Sequence, residues 1–311
     1  MQSGGFDKMV CMKNLRQYLE GQGVDGKLTT LILALADGVK EIAEVIKSDK
    51  GEKVGSENVF GEAQITMDVK SNQIINDLLV ATGVVGLVAS EEMDDEEKIG
   101  DGEYAVAHDP LDGSSLVDVN LAVGSIFGVY KTGTFYGKNG GDQVAAMLGV
   151  YGPRTAIFFT VRKGTAYFVL NVEGEFILQK EELKISEKAK IFAPGNLRAC
   201  SERDDYVELV NYWMKNQYQL RYSGGMVPDI GQIILKGEGI FAYPGYGEQP
   251  HGKLRTLYEC APMALIVEEA GGAASDGVGR ILDQEIKDLA QRTPIFIGSS
   301  EEVERCKKFL S

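Results

Sequence analysis

The sequence predicts an α/β protein of two units, and three observations carry that expectation. Near the start, Leu28, Leu31, Ile32, Leu35, Val39, Ile42 and Ile46 recur at helical spacing, the pattern of one buried helix face. The middle of the chain is a run of short apolar segments separated by glycine-containing turns, which reads as strands. Beyond Ala193-Pro194-Gly195-Asn196 the rhythm changes to alternating helices and strands. That change places a boundary near residues 191–198, giving an expected N-terminal domain of 1–194 and a C-terminal domain of 195–311.

The elements follow in order. After the long first helix, Asn72 to Val80 reads as a second helix with Ile74, Ile75, Leu78 and Leu79 inward. Gly86 to Ser90 and Tyr104 to His108 are strand-like runs that each end in acids. Strands are expected over Gly124 to Tyr130, Thr155 to Thr160, Ala166 to Leu170 and Glu175 to Leu178, with Gly164-Thr165 and Glu173-Gly174 as punctuation. In the second unit, Tyr206 to Met214 and Asp229 to Lys236 read as helices, and Gln219 to Tyr222 and Gly239 to Tyr243 as extended. Leu257 to Ala270 is an expected helix stopped by Gly271-Gly272, and Pro294 to Gly298 a final strand. Ser299 and Glu302 have the spacing of a capping box for the last helix.

Composition narrows the partners. Hydrophobic residues make up 44% and charged residues 25% of the 311 residues, an ordinary globular balance. Lys and Arg number 32 against 46 Asp and Glu, a formal net charge of −14. Such acidity argues against nucleic acid and anionic membranes as partners. Cys11, Cys200, Cys260 and Cys306 are scattered without a C-x-x-C pair, which reads as reduced thiols. With no transmembrane-length apolar run and no signal-peptide pattern at Met1-Gln2-Ser3-Gly4-Gly5, a cytoplasmic location is expected.

The densest chemistry lies in Asp109-Pro110-Leu111-Asp112-Gly113-Ser114-Ser115, with Glu91-Glu92 upstream. Pro110 is expected to end the ladder of the preceding strand and Gly113 to allow a tight bend. Carboxylates would then emerge together at strand carboxyl ends, where open α/β sheets place ligands. Hard divalent cations want oxygen ligands of this kind. Gly113, Ser114 and Ser115 offer N–H groups and hydroxyls to a phosphate bound on such a metal. The motif therefore reads as a metal-dependent phosphate-ester site, although as an isolated loop it would be an ordinary polar turn. Further along, Arg198, Arg221, Lys253 and Arg255 form a credible second phosphate clamp. Glu62 and Asp68 are acids with no obvious core role, His108 is read as structural, and His251 as solvated.

Gly61-Glu62, Ser90-Glu91-Glu92, Asp109 to Ser115 and Gly252 to Cys260 together resemble the motifs of the sugar-bisphosphatase family, from about Gly26 to Gly298. The resemblance implies the sugar-phosphatase fold, two mixed-sheet domains sandwiched by helices in an α-β-α-β-α arrangement. It implies a Mg²⁺ site, about two to three ions with Mn²⁺ able to substitute, held by Glu91, Glu92, Asp109, Asp112, Glu259 and the Leu111 carbonyl. Asp68 and Glu92, with Glu91, resemble the acids that activate the attacking water. Asp112, Gly113, Ser114, Ser115 and Arg255 resemble the holder of the scissile 1-phosphate. Asn196, Arg198, Arg221, Tyr222, Tyr243 and Lys253 resemble the distal-phosphate site, with Arg221 reaching across a boundary in a homo-oligomer, dimer or tetramer.

Within the family the chain is more similar to the sedoheptulose-1,7-bisphosphatases, in Gly140 to Ala146, Gly149 to Thr155, Pro194 to Ala199 and Ser223 to Asp229. The small Ala199 and Gly225 are expected to leave room for a seventh carbon. The implied reaction is hydrolysis of the 1-phosphate of sedoheptulose 1,7-bisphosphate, in pentose-phosphate or Calvin-cycle carbon metabolism. The alternatives are a fructose-1,6-bisphosphatase, a dual enzyme, or a non-catalytic sugar-phosphate sensor. AMP-inhibited members carry Lys-Tyr and Arg where this chain has Glu103-Tyr104 and Lys131. An acid facing a nucleotide phosphate opposes binding, so activity should be unchanged by AMP and, without a close cysteine pair, by thioredoxin. Strong inhibition in an assay with micromolar AMP would overturn the first expectation, and a reductant-dependent rise in rate the second.

Overall fold

The structure, a computed structural model, describes residues 13–48, 53–57 and 63–310. The N-terminal part holds helices α1 (Leu15–Gly21), α2 (Gly26–Ser48) and α3 (Thr66–Thr82), and the hairpin β1 (Lys53–Glu57) and β2 (Ala63–Ile65). Eight strands follow: β3 (Val85–Ser90), β4 (Glu97–Lys98), β5 (Tyr104–Asp112), β6 (Val123–Lys131), β7 (Gln143–Tyr151), β8 (Thr155–Thr160), β9 (Thr165–Leu170) and β10 (Phe176–Lys180). The C-terminal part holds β11 (Ile191–Pro194), α4 (Asp204–Lys215), β12 (Gln219–Leu220), α5 (Met226–Lys236), β13 (Ile240–Tyr243), α6 (Ala261–Glu269), β14 (Ala273–Ser275), β15 (Ile295–Gly298) and α7 (Ser300–Phe309).

The first sheet runs β10-β9-β8-β7-β6-β5-β3-β4, antiparallel except for the parallel pair β3 and β5. The second runs β12-β11-β13-β15-β14, with β11 parallel to both neighbours and β15 antiparallel to its own. Helices α2 and α3 cover the outer face of the first sheet, with Leu31, Ile32, Leu35, Val39 and Ile42 fully buried. Helices α5 and α6 lie between the sheets, and α4 and α7 close the outer face of the second. The layers are therefore α-β-α-β-α, as the family resemblance implied. Being covered on both sides, α6 buries every residue from Ala261 to Val267 and is apolar all round rather than striped.

Several expectations shift. Strand β11 belongs to the second sheet, so the sheets change between Lys180 and Ile191, and the division at 194/195 falls at the far end of that strand. Strand β7 lies outside the strands expected from the sequence: Gln143 to Tyr151 is covered on both faces, and Ala145, Ala146 and Gly149 interrupt any polar alternation and leave only Val144 and Val150 as β-branched residues. Helix α3 begins well before Asn72, placing Asp68 in its first turn. The helix expected over Leu257 to Ala270 opens instead with a π turn, Thr256–Cys260. Gly61, Glu62 and Cys11 lie outside the described residues. Cys200, Cys260 and Cys306 are free thiols. No helix among the described residues is long and apolar enough to cross a membrane.

The capping box also dissolves. Ser299 stands at the N-cap of α7, but its Oγ accepts the Gly239 N–H at 3.2 Å instead of capping the helix. Glu302 turns inward, accepting from Trp213 Nε1 at 3.0 Å and the Tyr218 hydroxyl at 2.7 Å, with Arg305 Nε at 3.1 Å. This carboxylate ties α4 to α7. Glu302→Ala strands the buried Trp213 donor, the half-buried Tyr218 hydroxyl and a guanidinium, at a cost of about 3 kcal/mol. Thermal unfolding should shift down by roughly 5–10 °C; a shift within about 1 °C would show the anchor to be dispensable.

Candidate active site

Strand β5 does not stop at Pro110. It stays paired with β6 to Asp112 by way of a one-residue slip: Asp109 faces Ile126, whereas Asp112 faces Gly124. Residues three apart on an unbroken strand point to opposite faces, and a single inserted residue restores the parity. The carboxylates of Asp109 and Asp112 thus meet on one side, with the Leu111 N–H donating to Asp109 Oδ1 at 2.9 Å. The parallel pairing of β3 sets Ser90 opposite His108, and the Glu91 N–H donates to the His108 carbonyl at 3.1 Å, which brings Glu91 alongside Asp109.

Two elements of the second unit complete the group. In the π turn, the Cys260 N–H donates to Arg255 O at 2.9 Å, and Glu259 Oε2 accepts the Arg255 N–H. Glu259 is thereby turned to Asp109 and Asp112, and one oxygen from each of the three lies within 4.8 Å of the others. The N-terminus of α5 meets them too, the Val227 N–H donating to Asp112 Oδ2 at 3.1 Å. Gly124 permits that approach, because a Cβ there would lie 2.6 Å from Val227 Cβ. Beyond Asp112, Gly113 takes φ +76° and starts a short 3₁₀ turn, Ser114–Val119, which turns both serines toward the same space.

These residues line one cleft of about 590 Å³. Asp68, Glu91, Glu92, Asp109, Asp112 and Glu259 are on its walls, as are Leu111, Gly113, Ser114 and Ser115. Tyr222, Tyr243 and Lys253 line it as well. Arg255 does not; it is 1% exposed, behind the wall, with Nε 3.5 Å from Glu91 Oε1. Asn196 adopts φ +52° and donates to Pro244 O at 2.9 Å, off the cleft surface. Arg198 and Arg221 are exposed, and Arg221 follows the edge strand β12. Gly224, Met226 and Gln249 also line the cleft; the glycine pair ahead of an apolar helix marks the first two, and Gln249, in the loop after β13, carries no such signal. His108 is buried, with Nε2 3.2 Å from Asn76 Oδ1, and burial pushes its pKa down to about 3, so it is neutral. His251 is exposed.

The steric argument for a seventh carbon fails. Ala199 is fully buried among Phe192, Tyr206 and Trp213. A Cβ on Gly225 would meet Leu116 Cδ1 and Pro228 Cγ at 3.1 Å, protein atoms rather than sugar space. Away from the cleft, Glu103 pairs with Lys27 and lies 3.6 Å from Lys131 Nζ, and the Tyr104 hydroxyl donates to Asp25 Oδ2 at 3.0 Å.

The electrostatics are those of crowded acids. Burial first, then the charges of Glu91, Asp112 and Glu259, push Asp109 well above the usual carboxylate range. Glu259 is pushed up in the same way by burial, Glu91 and Asp112. Asp112 rises less, because the Val227 and Met226 N–H groups and Lys253 favour its anion. Without a cation the folded chain therefore holds protons that the unfolded chain releases, and stability falls as pH climbs from the ordinary carboxylate range through the raised values. A divalent cation displaces those protons. The rise in unfolding temperature caused by Mg²⁺ should be larger at about pH 8 than at about pH 5. Asp109→Asn should raise the metal-free unfolding temperature and remove most of the Mg²⁺ effect. A Mg²⁺ shift that ignores pH would contradict this electrostatic account.

Comparison with known proteins agrees with this geometry. Residues 9–181 match the family model for the fructose-1,6-bisphosphatase N-terminal domain, and residues 185–311 that for its C-terminal domain. The chain is 43% identical over 301 residues to a class 1 fructose-1,6-bisphosphatase of Geobacter metallireducens, covering 96% of this chain and 95% of that protein. It is 39% identical over 302 residues to the chloroplastic sedoheptulose-1,7-bisphosphatase of Spinacia oleracea, covering 96% of this chain and 78% of that one. The solved fructose-1,6-bisphosphatase of Leishmania major superposes with a TM-score of 0.91 at 35% identity, over 96% of this chain and 99% of that one. Fold, acid cluster and both matched domains lead to one conclusion: the chain belongs to the fructose-1,6-bisphosphatase family of phosphatases.

Proposed function

We propose that this phosphatase hydrolyses the 1-phosphate of a ketose bisphosphate, with fructose 1,6-bisphosphate the principal substrate. The observation that carries the reading is a single cleft lined by a carboxylate cluster, a glycine–serine turn and Lys253 with two tyrosines. A fructose preference is supported by the 43% identical fructose-1,6-bisphosphatase and by the lack of sugar space at Ala199 and Gly225. A dual activity toward sedoheptulose 1,7-bisphosphate is the second reading, favoured by the spinach relative.

The donor set fits a hard divalent cation: buried carboxylate oxygens within 4.8 Å of one another, with no sulfur or imidazole among them. Asp109, Asp112 and Glu259, with Glu91, Glu92 and the Leu111 carbonyl, would hold Mg²⁺, or Mn²⁺ in its place. When bound, the ions offset the charge of the transferred phosphoryl group and ease ionisation of the attacking water. Glu92 and Asp68, on the same cleft wall, take up the water's proton through a carboxylate oxygen. Gly113, Ser114 and Ser115 cradle the reacting phosphate with N–H groups and hydroxyls. Arg255, paired with Glu91 from behind, holds that carboxylate in place.

Lys253, Tyr222 and Tyr243 bind the distal phosphate, and Arg198 adds its charge, since both Arg198 and Lys253 favour the Tyr243 phenolate. Binding of the unreactive phosphate orients the reacting one. Arg221, exposed beside the edge strand, is offered to a second copy in a homo-oligomer.

Phosphate release with Mg²⁺, measured in parallel on the two bisphosphates, should give the higher kcat/KM for fructose 1,6-bisphosphate. The reverse order would sink the substrate assignment and leave the hydrolysis standing. Lys253→Ala should lower kcat as well as raise KM, cutting kcat/KM by about ten-fold or more; a raised KM with unchanged kcat would show that the distal contact binds without orienting.

A further inference from the structure

The slip in β5 that unites Asp109 and Asp112 has its own support, two strands deep. A bulge leaves backbone groups out of the ladder, and Pro110 has no N–H to give. Its carbonyl oxygen is taken instead by a side chain: Ser125 Oγ donates to Pro110 O at 2.6 Å. Ser125 sits between Gly124 and Ile126, the two residues that mark the slip on β6. Its hydroxyl is in turn 2.7 Å from the Tyr151 hydroxyl on β7. A carbonyl has no proton, so Ser125 spends its own on Pro110, and Tyr151 must be the donor in the second bond. Burial pushes the Tyr151 pKa up, so the phenol keeps that proton. Both side chains are buried and neither lines the cleft.

We propose that Ser125 and Tyr151 are positioning residues for the divalent-metal site, a hydroxyl relay that locks the β5 bulge so that both aspartates face one cation. The proposal rests on the reading of Asp109, Asp112 and Glu259 as metal ligands. Without the relay, the Pro110 carbonyl is buried and unsatisfied in a segment free to relax toward regular pairing. Regular pairing would send Asp112 or Asp109 to the other face. The relay therefore acts on the geometry of the oxygen donors and not on substrate.

The test measures Mg²⁺ affinity by calorimetry and the unfolding temperature with and without Mg²⁺, for Ser125→Ala, Tyr151→Phe, Ser125→Thr and Asp109→Asn. Ser125→Ala and Tyr151→Phe should weaken Mg²⁺ binding by about 10- to 100-fold, the range for partners that orient metal ligands. Ser125→Thr keeps the hydroxyl and should restore affinity to within about three-fold of the parent. A merely structural hydrogen bond predicts something else: a lower metal-free unfolding temperature with unchanged Mg²⁺ affinity, which would overturn the proposal. If Ser125→Ala does not fold, Tyr151→Phe, which removes one oxygen and leaves the ring in place, decides alone. Asp109→Asn separates the two levels. If it keeps full affinity, the cluster is not the metal site and both readings fall. If it loses affinity while Tyr151→Phe and Ser125→Ala retain it, only the relay falls.

Discussion

Like-charge repulsion among buried carboxylates is the constraint on which the rest of this molecule depends. Asp109, Asp112, Glu91 and Glu259 come from three separate chain segments; burial raises Asp109, Asp112 and Glu259, and the charges of Glu91 and Asp112 push Asp109 and Glu259 further toward the protonated form. No local sequence preference would assemble them. They are held by features that exist only when the whole fold is made: parallel pairing of β3 with β5, the α5 N-terminus against Asp112, and the π turn that swings Glu259 inward. The packing of five layers thus holds together a group of crowded acids, an arrangement that a bound cation would relieve.

The same view resolves an apparent contradiction in the composition. A chain of net charge −14 is a poor attractor for an anionic sugar phosphate at long range. At short range, Lys253 lines the cleft and Arg255 stands behind its wall against Glu91. Exposed charges beyond about 8–10 Å are largely screened in physiological salt. Local cations therefore govern what the cleft accepts, and the acidic surface elsewhere bears on solubility instead.

The parts of the fold and site that were legible in the sequence are those encoded within one element. The apolar face of α2 could be read directly, as could the acids at the ends of β3 and β5 and the cation–acid run from Lys253 to Glu259. What escaped depends on pairing between distant segments. Pro110 reads as a strand end because its missing N–H is visible in the sequence, whereas the Ser125 hydroxyl that makes a bulge tolerable is set by sheet register. Glu302 has the spacing of a cap, but Trp213 and Tyr218 outbid the helix N-terminus for it. Ala199 and Gly225 read as sugar space because small side chains look the same whether they face a ligand or the core.

The π turn that carries Glu259 runs without a break into α6, and α6 is the helix gripped by both sheets. One acid of the cleft is therefore mounted on the element that lies between the two sheets. With no loop between α6 and the π turn, the position of Glu259 is tied directly to the packing of the two sheets about that helix. The spacing of the acids in the cleft is thus set by the same interior that holds the two sheets together.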